Sequence, residues 1–143
     1  MFSWVSHSEK ETLKFGRSLA KFLKGGEILA LVGSLGSGKT TFLKGLARGL
    51  NLKTRVASPS FVIMSRHLLS GKKREFFYHF DLYRLKRQSE LAELGFLEIL
   101  ENPKNIVAVE WANRAKKSLP KRTIIIKFEH GQDHNERRIS IDV

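Results

Sequence analysis

The chain has no cysteine among its 143 residues. Disulfides and thiolate metal sites are therefore excluded, and the composition suits a reducing cytosol. No apolar run approaches the ~20 residues that span a bilayer, so no membrane helix is expected. The start, Met1-Phe2-Ser3-Trp4, lacks the charged and apolar regions of a secretory signal, and a cytoplasmic protein is expected. Acidic residues are scarce: 14, against 26 Lys and Arg, leave a net charge of +12. Such a field favours polyanions or an acidic protein surface. A basic proteome or a need for solubility produces the same balance, and charge alone names no partner. The rest is ordinary, with 41% hydrophobic and 28% charged residues, which argues against wholesale disorder. The length suits one domain over residues 1–143, large enough to bury a core.

Ser8-Glu9-Lys10-Glu11 is a capping box, with Ser8 capping and Glu11 reaching back to it. Phe15, Leu19, Phe22 and Leu23 then recur at helical spacing, predicting an amphipathic helix over 8–24 that Gly25-Gly26 ends. Glu27 to Val32 reads as a short buried strand. Lys39 to Leu50, with Phe42, Leu43, Leu46 and Leu50 on one face, reads as a second helix. Residues 61–69 and 74–81 form an extended pair joined at Ser70-Gly71-Lys72-Lys73. Ser89 to Leu100 is helical with a break at Gly95, Asn102-Pro103 is a turn, and Ile106 to Val109 is a second buried strand. After a short basic helix, Thr123–Phe128 and Arg137–Val143 close a hairpin around Gly131. No repeat, low-complexity tract or linker is visible. The sum is an α/β domain with a mixed sheet flanked by helices.

Between the first buried strand and the second helix stands Gly33-Ser34-Leu35-Gly36-Ser37-Gly38-Lys39-Thr40. This is the P-loop pattern in its strand–loop–helix setting, and it predicts a P-loop NTPase fold. Glycines let the backbone wrap a phosphate where side chains would collide with it. The helix start aims N–H groups and a positive dipole end at the anion. Lys39 then reaches the β- and γ-phosphates, and the Thr40 hydroxyl is placed on Mg²⁺. A chance match on a glycine-rich turn is the competing reading, and the flanking strand and helix argue against it.

Mg²⁺ wants one or two carboxylates near the phosphates. Two candidates end buried strands: Glu110 after Ile106–Val109, and Asp81 after Phe76–Phe80. Glu110 ends the more aliphatic strand and is assigned to the metal; Asp81 is read as orienting the attacking or a metal-bound water. A structural salt bridge is open for either, and the two roles are interchangeable on sequence alone. Ser60, in Ala57-Ser58-Pro59-Ser60-Phe61, stands where P-loop switch proteins carry a γ-phosphate-sensing hydroxyl, although Ser-Pro-Ser is also simply a turn. The guanine-reading motif Asn-Lys-x-Asp and an Asp-x-x-Gly switch are absent, which argues against a GTPase and leaves ATP as the expected nucleotide. The length and the missing signature exclude a helicase core and an ABC ATPase. A small-molecule kinase stays open, with Arg84, Arg87 and Arg114 as a phosphate-clamping lid. So does an RNA-binding protein that uses ATP only as a switch.

Four stretches in order carry a resemblance: Gly33 to Phe42, Ser58-Pro59-Ser60-Phe61, His79-Phe80-Asp81-Leu82-Tyr83-Arg84-Leu85 and Glu110-Trp111-Ala112-Asn113-Arg114. Together they resemble the bacterial TsaE (YjeE) family, the ATPase of the tRNA threonylcarbamoyladenosine pathway, over nearly the whole chain. The resemblance implies slow ATP hydrolysis dependent on partners, TsaD and its relative TsaB, which attach threonylcarbamoyl to the adenosine beside the anticodon. It carries the family's phosphate loop onto Gly33, Leu35, Gly36, Ser37, Gly38, Lys39, Thr40 and Thr41. The metal-coordinating hydroxyl falls on Thr40, the strand-end glutamate on Glu110, the aspartate on Asp81 and the switch hydroxyl on Ser60. Glu9 and Thr12 match the segment beside the adenine. Two departures stand out: Ser34 where the family usually has Asp, and Ser60 where it usually has Thr.

Other features are less specific. Trp111 stacks on the nucleotide or a partner, or packs in the core. His79, among alternating aromatics, suits a hydrogen-bonding core role better than catalysis. His130 and His134 have metal-like spacing without a third ligand. Lys72-Lys73-Arg74 is a solvated tip or a contact for tRNA phosphates.

Overall fold

A computed structural model of the chain describes residues 2–53, 63–71 and 73–142. Ser60 and its neighbours, and Lys72 of the basic tip, lie outside the described residues. Among the described residues, seven strands form one sheet: β1 Phe2–Ser6, β2 Ile28–Val32, β3 Met64–Leu68, β4 Phe76–Asp81, β5 Ile106–Glu110, β6 Ile124–His130 and β7 Arg137–Asp142, in the order β1-β7-β6-β2-β5-β4-β3. The middle four, β6, β2, β5 and β4, run parallel, and antiparallel pairs flank them on both sides. All four parallel strands therefore point their carboxyl ends at one edge of the sheet.

β2 and β5 are covered on both faces, which is why they read as continuous apolar runs. On one face Leu29, Leu31, Ile106 and Ala108 pack against Phe42, Leu43 and Leu46 of α2 (Lys39–Gly49). On the other, Ile28, Ala30, Val107 and Val109 meet Leu91, Phe96 and Leu100. The last three come from α3 (Ser89–Glu93) and α4 (Phe96–Glu101), two short helices separated at Gly95.

α1 (Glu9–Leu19) starts as the capping residues require, with Ser8 Oγ accepting from Glu11 N at 3.1 Å. The Glu11 carboxylate reaches one residue further back than expected and accepts from His7 N at 2.7 Å. After Leu19 the chain tightens into a 3₁₀ turn, Ala20–Phe22. A 3₁₀ turn has fewer residues per turn than an α-helix, so the phase shifts and Phe22, expected on the packed face, is exposed instead.

α1 lies almost backbone-to-backbone on α2. A Cβ on Gly16 would sit 2.2 Å from the Phe42 carbonyl oxygen, and one on Gly45 1.9 Å from that of Leu13. Only glycine permits this approach, and it brings the start of α1 beside the start of α2. β1, which the sequence reading passed over, extends the sheet at its edge. It pairs antiparallel with β7, Trp4 opposite Ile139, and Trp4 stacks on Phe15 with ring centroids 4.9 Å apart.

Candidate functional site

The loop between β2 and α2 turns through left-handed backbone at Gly36 (φ 73°) and Gly38 (φ 105°), conformations that favour glycine strongly. Gly38 is the N-cap of α2, and no side chain caps that end. Among the described residues, the first N–H groups of α2 thus face the loop with no side-chain acceptor. Ser37 Oγ is buried without a hydrogen-bond partner among the described residues.

Lys39, the first residue of α2, is only 5% exposed. Its ammonium donates to the carbonyl oxygens of Gly33 and Ser34 and lies 4.2 Å from the centroid of the Trp111 ring. Burial pushes its pKa below the ordinary lysine value, while the Glu110 and Asp81 carboxylates act against that shift. A buried ammonium held by carbonyls and a ring face is poised for an anion.

The carboxylates arrive from the strand ends. β4 and β5 pair in parallel with Asp81 directly beside Glu110, and both side chains are buried. Asp81 Oδ1 accepts from Tyr83 N at 3.1 Å, which shapes the chain leaving β4. Glu110 Oε2 stands 2.8 Å from His79 Nε2, with both residues at 2% exposure or less. His79 therefore has the hydrogen-bonding core role expected of it.

Trp111 follows at φ 55°, an uncommon conformation for a bulky side chain. The turn places the indole half-buried over Lys39 and against Tyr83, with ring centroids 5.0 Å apart. It lies at the wall of the site rather than deep in the core.

These groups surround one cleft of about 420 Å³ at the carboxyl ends of the parallel strands, the edge where open α/β sheets bind ligands. Leu35, Gly36, Ser37, Gly38, Lys39, Thr40 and Thr41 line it, together with Asp81, Glu110, Trp111, Glu9 and Thr12. Two expected residues contribute differently from the sequence reading. Gly33 sits behind the lining and offers its carbonyl to Lys39. Thr12 has its hydroxyl tied to Ser6 Oγ at 2.7 Å and lies near the Ser8 carbonyl oxygen, so it orders the α1 start more than it reaches outward.

The wall also includes residues that sequence reasoning did not place there: Ser8, Tyr83, and His134, Asn135 and Arg137 around the β6–β7 turn. Nothing local signals the last three, because they reach the cleft only through the strand order. His130 and His134 do not build a metal cluster; no group of three or more possible metal-binding His, Asp or Glu side chains occurs among the described residues. Of the three arginines considered as a lid, Arg84 lines the cleft and Arg87 does not. Arg114 spends Nη1 on the Leu85 carbonyl at 3.2 Å.

A family model described as "Threonylcarbamoyl adenosine biosynthesis protein TsaE" matches residues 6–139. The chain belongs to the TsaE family. Similar proteins named tRNA threonylcarbamoyladenosine biosynthesis protein TsaE include one from Bacillus subtilis, 35% identical over 96% of this chain and 82% of that protein. Another, from Treponema pallidum, is 31% identical over 96% of this chain and 97% of its own length. The crystal structure of YdiB from Bacillus subtilis superposes with a TM-score of 0.77 at 31% identity, over 98% of this chain and 83% of that one. The expected α/β fold is thereby borne out, as is the resemblance to the TsaE family. Three of the four stretches that carried that resemblance, around residues 33–42, 79–85 and 110–114, contribute to the same cleft.

Proposed function

We propose that this TsaE-family chain is a Mg²⁺-dependent ATPase, slow when alone, that acts with TsaD and TsaB in threonylcarbamoyl modification of the adenosine beside the tRNA anticodon. One observation carries the reading. A single cleft joins an uncapped helix start behind a left-handed glycine loop, a buried lysine, and two carboxylates on adjacent parallel strands. The names of its relatives place them in threonylcarbamoyladenosine biosynthesis, and this chain takes its pathway from that likeness.

Each group then has a task. The loop from Gly33 to Thr41 wraps the phosphates, with the N–H groups at the α2 start and Lys39 facing their negative charge. The residues fit a divalent cation: the Thr40 hydroxyl and the Glu110 carboxylate would hold Mg²⁺, whose contribution is to offset charge on the β- and γ-phosphates. Asp81 orients the attacking water, and Ser60 supplies the phosphate-sensing hydroxyl. Glu9 and Thr12 border the base, and Trp111 offers a ring face. Contact with tRNA comes through the assembly with TsaD and TsaB. The protein works in the cytoplasm, and no helix among the described residues is long and apolar enough to cross a membrane. No observation favours the kinase, since its arginine lid is not assembled at the cleft.

Exchanging the carboxylates one at a time tests this division. Glu110→Ala should weaken nucleotide binding in Mg²⁺. Asp81→Ala should leave binding close to normal while phosphate release falls ~10²-fold. Calorimetry and a phosphate-release assay read the two effects separately. The reverse pattern swaps the roles, and no effect from either variant removes both residues from the mechanism.

A further inference from the structure

We propose that His79 is a positioning residue, whose Nε2–H holds the Glu110 carboxylate in the orientation that receives the divalent cation. The inference rests on the reading of Glu110 as a metal ligand. His79 is fully buried, on β4, two residues before Asp81 and therefore on the same face of the sheet. In register it lies beside Ala108 on β5 and Ser65 on β3. An imidazole buried in such a place is unfavourable unless a specific bond offsets its lost hydration. That bond is the 2.8 Å contact between Nε2 and Glu110 Oε2.

The other ring nitrogen decides which way the bond runs. Nδ1 is buried and has no hydrogen-bond partner among the described residues. A hydrogen there would be a stranded donor, whereas a bare nitrogen leaves only a lone pair unmet. The cavity therefore favours the tautomer with its hydrogen on Nε2, donating to Glu110. With Oε2 held, Oε1 is the oxygen left to serve the cleft that Glu110 lines. A glutamate has three rotatable side-chain bonds, and without this anchor its carboxylate loses the fixed direction a metal ligand needs.

The test compares three substitutions by calorimetric ATP binding, in EDTA and across a Mg²⁺ series. His79→Gln can place its amide nitrogen where Nε2 stood, His79→Asn cannot reach that far, and His79→Leu fills volume without a donor. We expect the Leu and Asn variants to need ~10-fold or more Mg²⁺ for half-maximal tightening, the range seen when second-layer partners of metal ligands are lost. Their affinity in EDTA should stay within about twofold of the parent chain, and the Gln variant should recover most of the Mg²⁺ response. If His79→Leu does not fold, the Gln and Asn pair decides. A parental Mg²⁺ midpoint in the Asn variant overturns the proposal. So does an equal shift in Gln and Asn accompanied by the same loss of thermal stability, which marks a packing role. Glu110→Ala run beside them separates the two levels. If it too leaves the midpoint unchanged, the metal role of Glu110 falls and this inference with it. If it shifts the midpoint while the His79 variants do not, only the inference fails.

Discussion

Lys39→Ala is expected to weaken ATP binding by about 10²-fold or more. Hydrogen bonds to a charged group are each worth ~1.5–3 kcal/mol, and ~1.4 kcal/mol is a factor of ten. The ammonium is buried between the loop and Trp111, where water competes poorly for it. Its hydrogen bonds go to carbonyl oxygens and it faces the Trp111 ring, while the buried Asp81 and Glu110 carboxylates lose the positive charge that interacts with them. Circular dichroism separates any loss of folding from the loss of affinity. Titration calorimetry in Mg²⁺ measures it. An affinity equal to that of the parent chain would remove Lys39 from the phosphate site.

Phosphate release by the isolated chain should be slow, and adding TsaD and TsaB should raise it by ~10² or more. The cleft supplies what binding needs, yet among the described residues no arginine is identified as a finger: Arg84 and Arg137 line the cleft, and Arg114 donates to the Leu85 carbonyl. A finger in place is worth ~10³–10⁵ in rate. Partners can supply an arginine or press one inward. With a net charge of +12, the chain should also hold an acidic partner face less tightly as salt rises. A phosphate-release assay at several salt concentrations checks both points. Rapid hydrolysis by the chain alone, indifferent to both partners, would contradict this reading and revive the kinase.

The parts of the site that were legible in the sequence are those with a local cause. Gly36 and Gly38 announce left-handed backbone, and the apolar runs on either side announce a strand and a helix, so the loop is legible from its local sequence. Asp81 and Glu110 were found because each closes a buried strand. That they are direct neighbours was not legible, since β5 inserts between β4 and β2 only in the folded sheet.

β1 escaped for the same reason. Its partner β7 lies at the far end of the chain, and five residues of mixed character carry no periodic signal of their own. The β6–β7 turn reaches the cleft by that non-local route. Phe22 fits the helical spacing but lies beyond the point where α1 tightens, a change that periodicity does not encode. Nor does spacing reveal that Thr12 gives its hydroxyl to Ser6, or that Trp111 takes a positive φ.

The most direct measurement is a titration of ATP into the unaltered chain, once with Mg²⁺ and once with EDTA. Glycine loop, lysine, hydroxyl and carboxylate are read here as one site for nucleotide and cation together. The expected result is saturable binding at one site per chain, clearly tighter with Mg²⁺ than without it. No saturable binding, or one affinity in both buffers, would contradict that reading.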